Sequence, residues 1–167
     1  MDYQKQSIKT SVVACIIDQR NRVLLTRRCI EPFCSQWVMP GGKIDHGEPI
    51  IAALHREVRE EIGIDIRVER LIDVYEHVNV GSKNDHFVIL YYRVAPLTFD
   101  LTPNGTECTE AKWFDTEELH SLLIPPGGRH ILNQVYPDLN LPCPETDSDR
   151  SQELPGATSL SKSDAKG

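Results

Sequence analysis

Gly42–Ile64, GKIDHGEPIIAALHREVREEIGI, is the stretch whose reading decides the fold. Helical spacing places Ile51, Leu54, Val58 and Ile62 on one apolar stripe, in steps of three or four. Gly63 suits the position just past a helix C-terminus, where the backbone turns left-handed and a Cβ would be penalised. Glu57 and Glu61 then lie one turn apart, with Glu60 on the adjoining face. Glu48 is expected to open the helix, where a carboxylate suits the dipole.

Three carboxylates near a helix C-terminus are unfavourable by a few tenths of a kcal/mol each. Like charges at i and i+4 add about 0.2–0.5 kcal/mol. Two readings answer this misfit. The glutamates form a solvated face neutralised by Arg56 and Arg59, as most charge runs do. Alternatively, a divalent cation lodges among them, since Mg²⁺ takes one or two carboxylates and fills its shell with water and phosphate oxygens.

The surrounding residues favour the second reading. Gly42, Glu48, Arg56, Glu57, Glu60, Glu61 and Gly63 fit the pattern G-x5-E-x7-R-E-U-x-E-E-x-G-U (U aliphatic) without departure. This stretch resembles the Nudix box, the signature of hydrolases acting on nucleoside diphosphates linked to another moiety. The flanking Trp37–Gly42 and Trp113-Phe114 are similar to the family as well. The resemblance implies an α/β fold, an α/β/α sandwich with a mixed sheet between helices. It implies Mg²⁺, with Mn²⁺ as the alternative, held by Glu57, Glu60, Glu61 and the carbonyl of Gly42. It also implies a catalytic group of Glu57, Glu60, Arg56 and one further acidic residue upstream of Trp113. Glu110 is the first choice for that residue and Glu107 the second. Arg56 either positions a catalytic glutamate or simply pairs with Glu60 at i,i+4.

Composition narrows the partners. A net charge of −7 argues against a nucleic-acid polymer, whose binding rests on Lys and Arg. It leaves room for a nucleotide, whose charge a metal meets locally. Cys15, Cys29, Cys34, Cys108 and Cys143 form no C-x-x-C pair, which points to reduced thiols and a cytoplasmic setting. No signal peptide or apolar membrane-spanning run is visible. Nothing specifies an oligomer, although the family resemblance allows a homodimer.

Around the box, Ser7–Asp18 and Arg22–Arg28 read as strands of one hairpin. A loop follows from Cys29 to Gln36. Its Phe33, with Trp37, is a candidate wall for a base, although a Trp in such a place is more often a half-buried packing residue. Gly41 and Lys43 are expected at the substrate, on a loop that brings backbone close to the ligand. Arg67–Val78 reads as a strand leading to a polar turn at Asn79–Asn84. The apolar run His86–Ala95 reads as a central strand covered on both faces. Leu97–Leu101 is expected as a short edge strand. Asp115 and Glu118 form a capping box opening a helix to about Leu123. Pro125–Gly128 should break the chain before a last helix, Arg129–Tyr136. A folded domain over 1–140 and a disordered polar tail over 141–167 complete the expectation.

The substrate subgroup is not legible. Asn79 and Val80-Gly81-Ser82 stand where ADP-ribose and diadenosine-polyphosphate hydrolases of the family carry Pro and Tyr. The general reading is hydrolysis of a nucleoside diphosphate linked to another moiety. The alternatives are a (d)NTP pyrophosphohydrolase that sanitises the nucleotide pool and a non-catalytic nucleotide-binding regulator.

Overall fold

The structure is a computed structural model that describes residues 7–80 and 84–144, with the backbone alone at 79 and 80. The elements run β1 (Lys9–Ile16), β2 (Val23–Arg28), β3 (Trp37–Val38), β4 (Gly41–Lys43), α1 (Ile50–Ile62), β5 (Ile66–Val80), β6 (Asp85–Pro96) and β7 (Cys108–Phe114). A 3-10 helix, Thr116–Ser121, and α2 (Pro126–Val135) follow. One sheet has the order β4-β1-β6-β5 and the other β3-β2-β7. β1 and β6 run parallel while β1–β4 and β5–β6 are antiparallel, so the larger sheet is mixed.

Alternation along the strands divides the core in two. Val12, Ala14 and Ile16 of β1 and Leu24 of β2 join Leu54, Val58 and Ile62 of α1. Cys15 and Ile17, with Val23 and Leu25, turn the other way and pack with Ile131 and Leu132 of α2. Successive side chains of a strand point to opposite faces, so each strand feeds both cores and a helix layer closes each side. The α/β sandwich is the architecture that results.

Several local expectations are corrected. β1 and β2 are not a hairpin, because they lie in different sheets and are linked by the isolated bridge Ile17–Val23 rather than by a ladder. The turn is nevertheless held, as Asp18 accepts the Arg22 backbone N–H and two guanidinium bonds from the same residue. Gly41 and Gly42 are not in a loop but in β4, paired with Val13 and Val12. α1 begins at Ile50 after Pro49, since Glu48 is drawn off to other partners. Ile51, expected on the apolar stripe, is 40% exposed, and Ala53 is buried in the core instead. Leu97–Leu101 forms no strand. Pro126, Gly127 and Gly128 are the first turn of α2 rather than a break, because Pro needs no N–H partner there.

β6 is central as expected, between β1 and β5, but is mostly half-buried. Packing runs slightly past residue 140. Leu141 is buried, and its backbone bonds to the Asn133 side chain. The residues 81–83 of the expected polar turn and the tail from 145 onward lie outside the described residues.

Candidate active site

α1 ends where its last carbonyls need donors, and a passing loop supplies them. Gly63, at φ 74°, closes the helix with its N–H on Arg59 O. Thr102 N–H and Asn104 N–H then bond to the carbonyls of Ile62 and Glu61, each at 2.9 Å. Asn104 Oδ1 in turn accepts the backbone N–H groups of Thr106 and Glu107, and its Nδ2 donates to Glu107 Oε2 at 3.2 Å. Helix capping thus carries Glu107 to the end of α1. Its carboxylate joins those of Glu57 and Glu61, with one oxygen from each lying within 4.8 Å of the others.

On the opposite side the cluster faces β4. A Cβ on Gly42 would stand 2.5 Å from the Glu57 carboxyl, and one on Gly41 would collide with the backbone of β1. Only glycine allows this sheet edge and this helix to approach so closely.

Arg56 holds the outer side. Its guanidinium bonds both oxygens of Glu48, at 2.6 and 2.9 Å, and Glu57 Oε1 at 2.7 Å. It also reaches Lys43 O at 3.1 Å and Glu60 Oε2 at 3.2 Å. The simple i,i+4 pair is one strand of this larger clasp. The bonds from Arg56 and from the Asp45 N–H bring the Glu48 carboxyl down to about 2. Glu48 therefore ties the preceding loop to α1.

The inner carboxylates are strained in charge. Glu57 and Glu61 are only 7% and 6% exposed. Burial raises the Glu57 carboxyl, against the pull of Arg56. Burial first, then Glu107 and Glu57, pushes Glu61 up to about 8, against a hydrogen bond from the Gly41 N–H. Uncompensated anions in such a site destabilise the fold unless a proton or a cation joins them. An all-oxygen donor set with no sulfur or imidazole suits a hard divalent ion such as Mg²⁺ or Mn²⁺. The residues present therefore fit a metal.

Other candidates fall elsewhere. Glu60 is exposed and bonds to Arg56, outside the cluster. Glu110, the first-choice acidic residue, is paired with Arg27 at 3.2 Å and Lys112 at 2.8 Å on β7, and it too stands outside. Strand alternation cannot bring Glu110 to α1, whereas the Asn104 turn brings Glu107 there. Trp37 packs edge-on to Phe114 at 4.9 Å beneath the Lys112 ammonium and does not line the cleft.

Phe33, Gly41 and Lys43 do line it, in a cavity of about 510 Å³ that opens from the carboxylates. Arg28, His77 and Phe87, which sequence reading passed over, line it as well. Arg28 donates to Pro32 O at 2.6 Å and Ile30 O at 3.0 Å, and so shapes the loop carrying Phe33. His77 and Phe87 face each other in register on β5 and β6, which the alternation of either strand alone does not reveal.

A mixed-sheet sandwich with buried helix glutamates set against a diglycine strand is the architecture of Nudix domains. The crystal structure of a MutT NUDIX hydrolase from Burkholderia pseudomallei matches it with a TM-score of 0.68 and 28% identity, over 78% of this chain and 99% of that one. The NUDIX domain family model matches residues 8–138, and the chain belongs to the Nudix hydrolase family. It is 32% identical over 125 residues to the Nudix hydrolase YvcI of Bacillus subtilis, covering 73% of this chain and 76% of the relative. To an ADP-ribose pyrophosphatase of Methanocaldococcus jannaschii it is 30% identical over 107 residues, covering 64% of this chain and 62% of the relative. The chain spans about three quarters of the length of the first of these relatives, under two thirds of the second, and about half of a nucleoside diphosphate-linked moiety X motif 6 protein of Xenopus laevis.

Proposed function

We propose that the chain is a metal-dependent pyrophosphohydrolase that cleaves the diphosphate bridge of a nucleoside diphosphate derivative by water attack at phosphorus. The carrying observation is the cluster of buried Glu57 and Glu61 with half-buried Glu107 at the end of a nucleotide-sized cleft. Glu57, Glu61 and the Gly42 carbonyl would hold Mg²⁺ or Mn²⁺, which when bound neutralises phosphate charge and acidifies water. Arg56 opposes the upward pull of burial on Glu57 and fixes its Oε1, a positioning role supported by the 2.7 Å bond. Glu107 accepts the water proton at Oε1, its Oε2 already engaged by Asn104. Lys43, at the cleft wall, meets a phosphate oxygen, and Gly41 keeps the β4 edge open to it. Glu60 lies outermost and serves the charge balance around Arg56.

The described cysteines are all free thiols, which supports a reducing, cytoplasmic setting. Among the described residues no helix is long and apolar enough to cross a membrane.

The test is Mg²⁺-dependent hydrolysis of a panel containing ADP-ribose, dinucleotides, sugar nucleotides and (d)NTPs, with products analysed after reaction in ¹⁸O water. Label in a phosphate product and loss of turnover with EDTA are expected. Turnover that survives EDTA, or a Glu61→Gln protein working at near wild-type rate, overturns the reading.

A further inference from the structure

The carboxylate cluster occupies one end of the cleft, and the floor continues sideways from β4 across β1 and β6 to β5. Register fixes which residues are neighbours there: Gly41 with Val13, Ser11 with Ile89, and Phe87 with His77. Three inter-strand steps of about 4.8 Å put β5 roughly 14 Å from β4. A bare diphosphate does not reach so far, whereas a nucleoside diphosphate laid across the strands does.

At the far end the charged rim residues satisfy each other, Lys9 bonding Asp85 at 2.6 Å. His77 is different. It is half-buried, with its ring 5.5 Å from Phe33 and 4.8 Å from Tyr75. Its displacement from ordinary behaviour has burial as the sole cause, with no bond or charge from a neighbour. No buried side-chain nitrogen or oxygen lacks a partner among the described residues. The imidazole nitrogens bond to none of those residues, and His77 lines the cleft with its Nε2 beside Gly127 at the start of α2.

We propose that the nucleobase of the substrate lies on the floor formed by Val13, Phe87, Ile89 and Tyr91, and that His77 determines specificity by hydrogen-bonding the edge of that base. This rests on the nucleotide-hydrolase reading given above. A flat aromatic group suits an apolar floor, while a sugar would leave several hydroxyls there without partners. Burial brings His77 down to about 4, so the ring is neutral at physiological pH and offers one donor and one acceptor. The two nitrogens diverge, so one of them meets the base edge, as donor or acceptor according to the tautomer. A site built to hydrogen-bond its substrate also rejects analogues that lack the group, because its own polar atoms are left unmatched.

The experiment measures binding of ADP, GDP, CDP, UDP and inorganic pyrophosphate by calorimetry with Mg²⁺ present. Wild-type protein, His77→Phe and His77→Asn are compared. Wild type is expected to bind one base at least about tenfold more tightly than the others and more tightly than pyrophosphate. His77→Phe keeps the ring but loses both nitrogens, so it should flatten that preference by about tenfold. Its unchanged pyrophosphate affinity would show that the variant is folded and its metal end intact. His77→Asn, which restores a donor and an acceptor, should recover part of the preference. In turnover, His77→Phe should raise KM for the preferred nucleotide with kcat within about twofold of wild type. A His77→Phe protein with wild-type base preference overturns the proposal, as do nucleotides that bind no better than pyrophosphate. Selective base binding without Mg²⁺-dependent hydrolysis by wild type would remove the enzymatic reading and leave the base site standing.

Discussion

Glu57, Glu61 and Glu107 come from two chain segments yet share one small volume, and each should answer to substitution accordingly. Glu61→Gln should lower kcat/KM at least about 100-fold, and Glu107→Gln at least about tenfold, in Mg²⁺-dependent assays. Glu110→Gln should leave activity within about threefold and stability within about 1 kcal/mol, since it breaks only partly exposed ion pairs. These variants separate the two acidic candidates upstream of Trp113 in one experiment. Glu61 also predicts a pH signature. Its folded carboxyl sits at about 8, above the ordinary 4.5, so the metal-free native state binds a proton that the unfolded chain has released. That stabilisation is complete below about 4.5 and is lost as pH rises through about 8. Thermal melts in EDTA should therefore show Tm falling across this window, and melts in saturating Mg²⁺ should show a shallower slope.

At the scale of elements, two close approaches depend on glycine. Gly42→Ala drives a methyl into the Glu57 carboxyl, so metal affinity should fall by at least about tenfold while the melt shifts by about 1–3 kcal/mol. On the other side of the sheet, the first turn of α2 lies on β5 and β6 through Gly127. A Cβ there would stand 2.9 Å from His77 Nε2 and from Tyr75 Cδ1. Gly127→Ala should cost about 1–3 kcal/mol in chemical denaturation and should disturb nucleotide binding, with metal binding spared. Leu54→Ala, a truncation on the fully buried face of α1, should cost about 2–5 kcal/mol. The three variants separate loss of packing from loss of the site: Leu54→Ala should reduce stability without selectively reducing either metal or nucleotide affinity.

For the molecule as a whole, a cation bound only by the folded state must stabilise it by mass action. Mg²⁺ at about 100 times its dissociation constant should add about 2.7 kcal/mol, and Glu61→Gln should abolish most of that gain. Much of this was legible in the chain. The periodicity of Ile50–Ile62, the glycine at 63 and the crowded glutamates identified α1 and its chemistry, because helical spacing is local and needs no knowledge of neighbours. Apolar and β-branched runs likewise announced β1, β5 and β6, though not their partners. The hairpin expected of β1 and β2 failed because strand identity says nothing about which sheet a strand joins. Pro126-Gly127-Gly128 read as a break because the residues taken singly disfavour helix, whereas packing against Tyr75 and Tyr91 requires a first turn without side chains. By itself the sequence determined the family, the helix of glutamates and the demand for positive charge beside them, all of which are encoded within a few turns of chain. Tertiary structure alone decided that Glu107 rather than Glu110 completes the cluster and that His77 faces the cleft. Those choices depend on helix capping by a distant loop and on register across three strands, where residues far apart in sequence become neighbours.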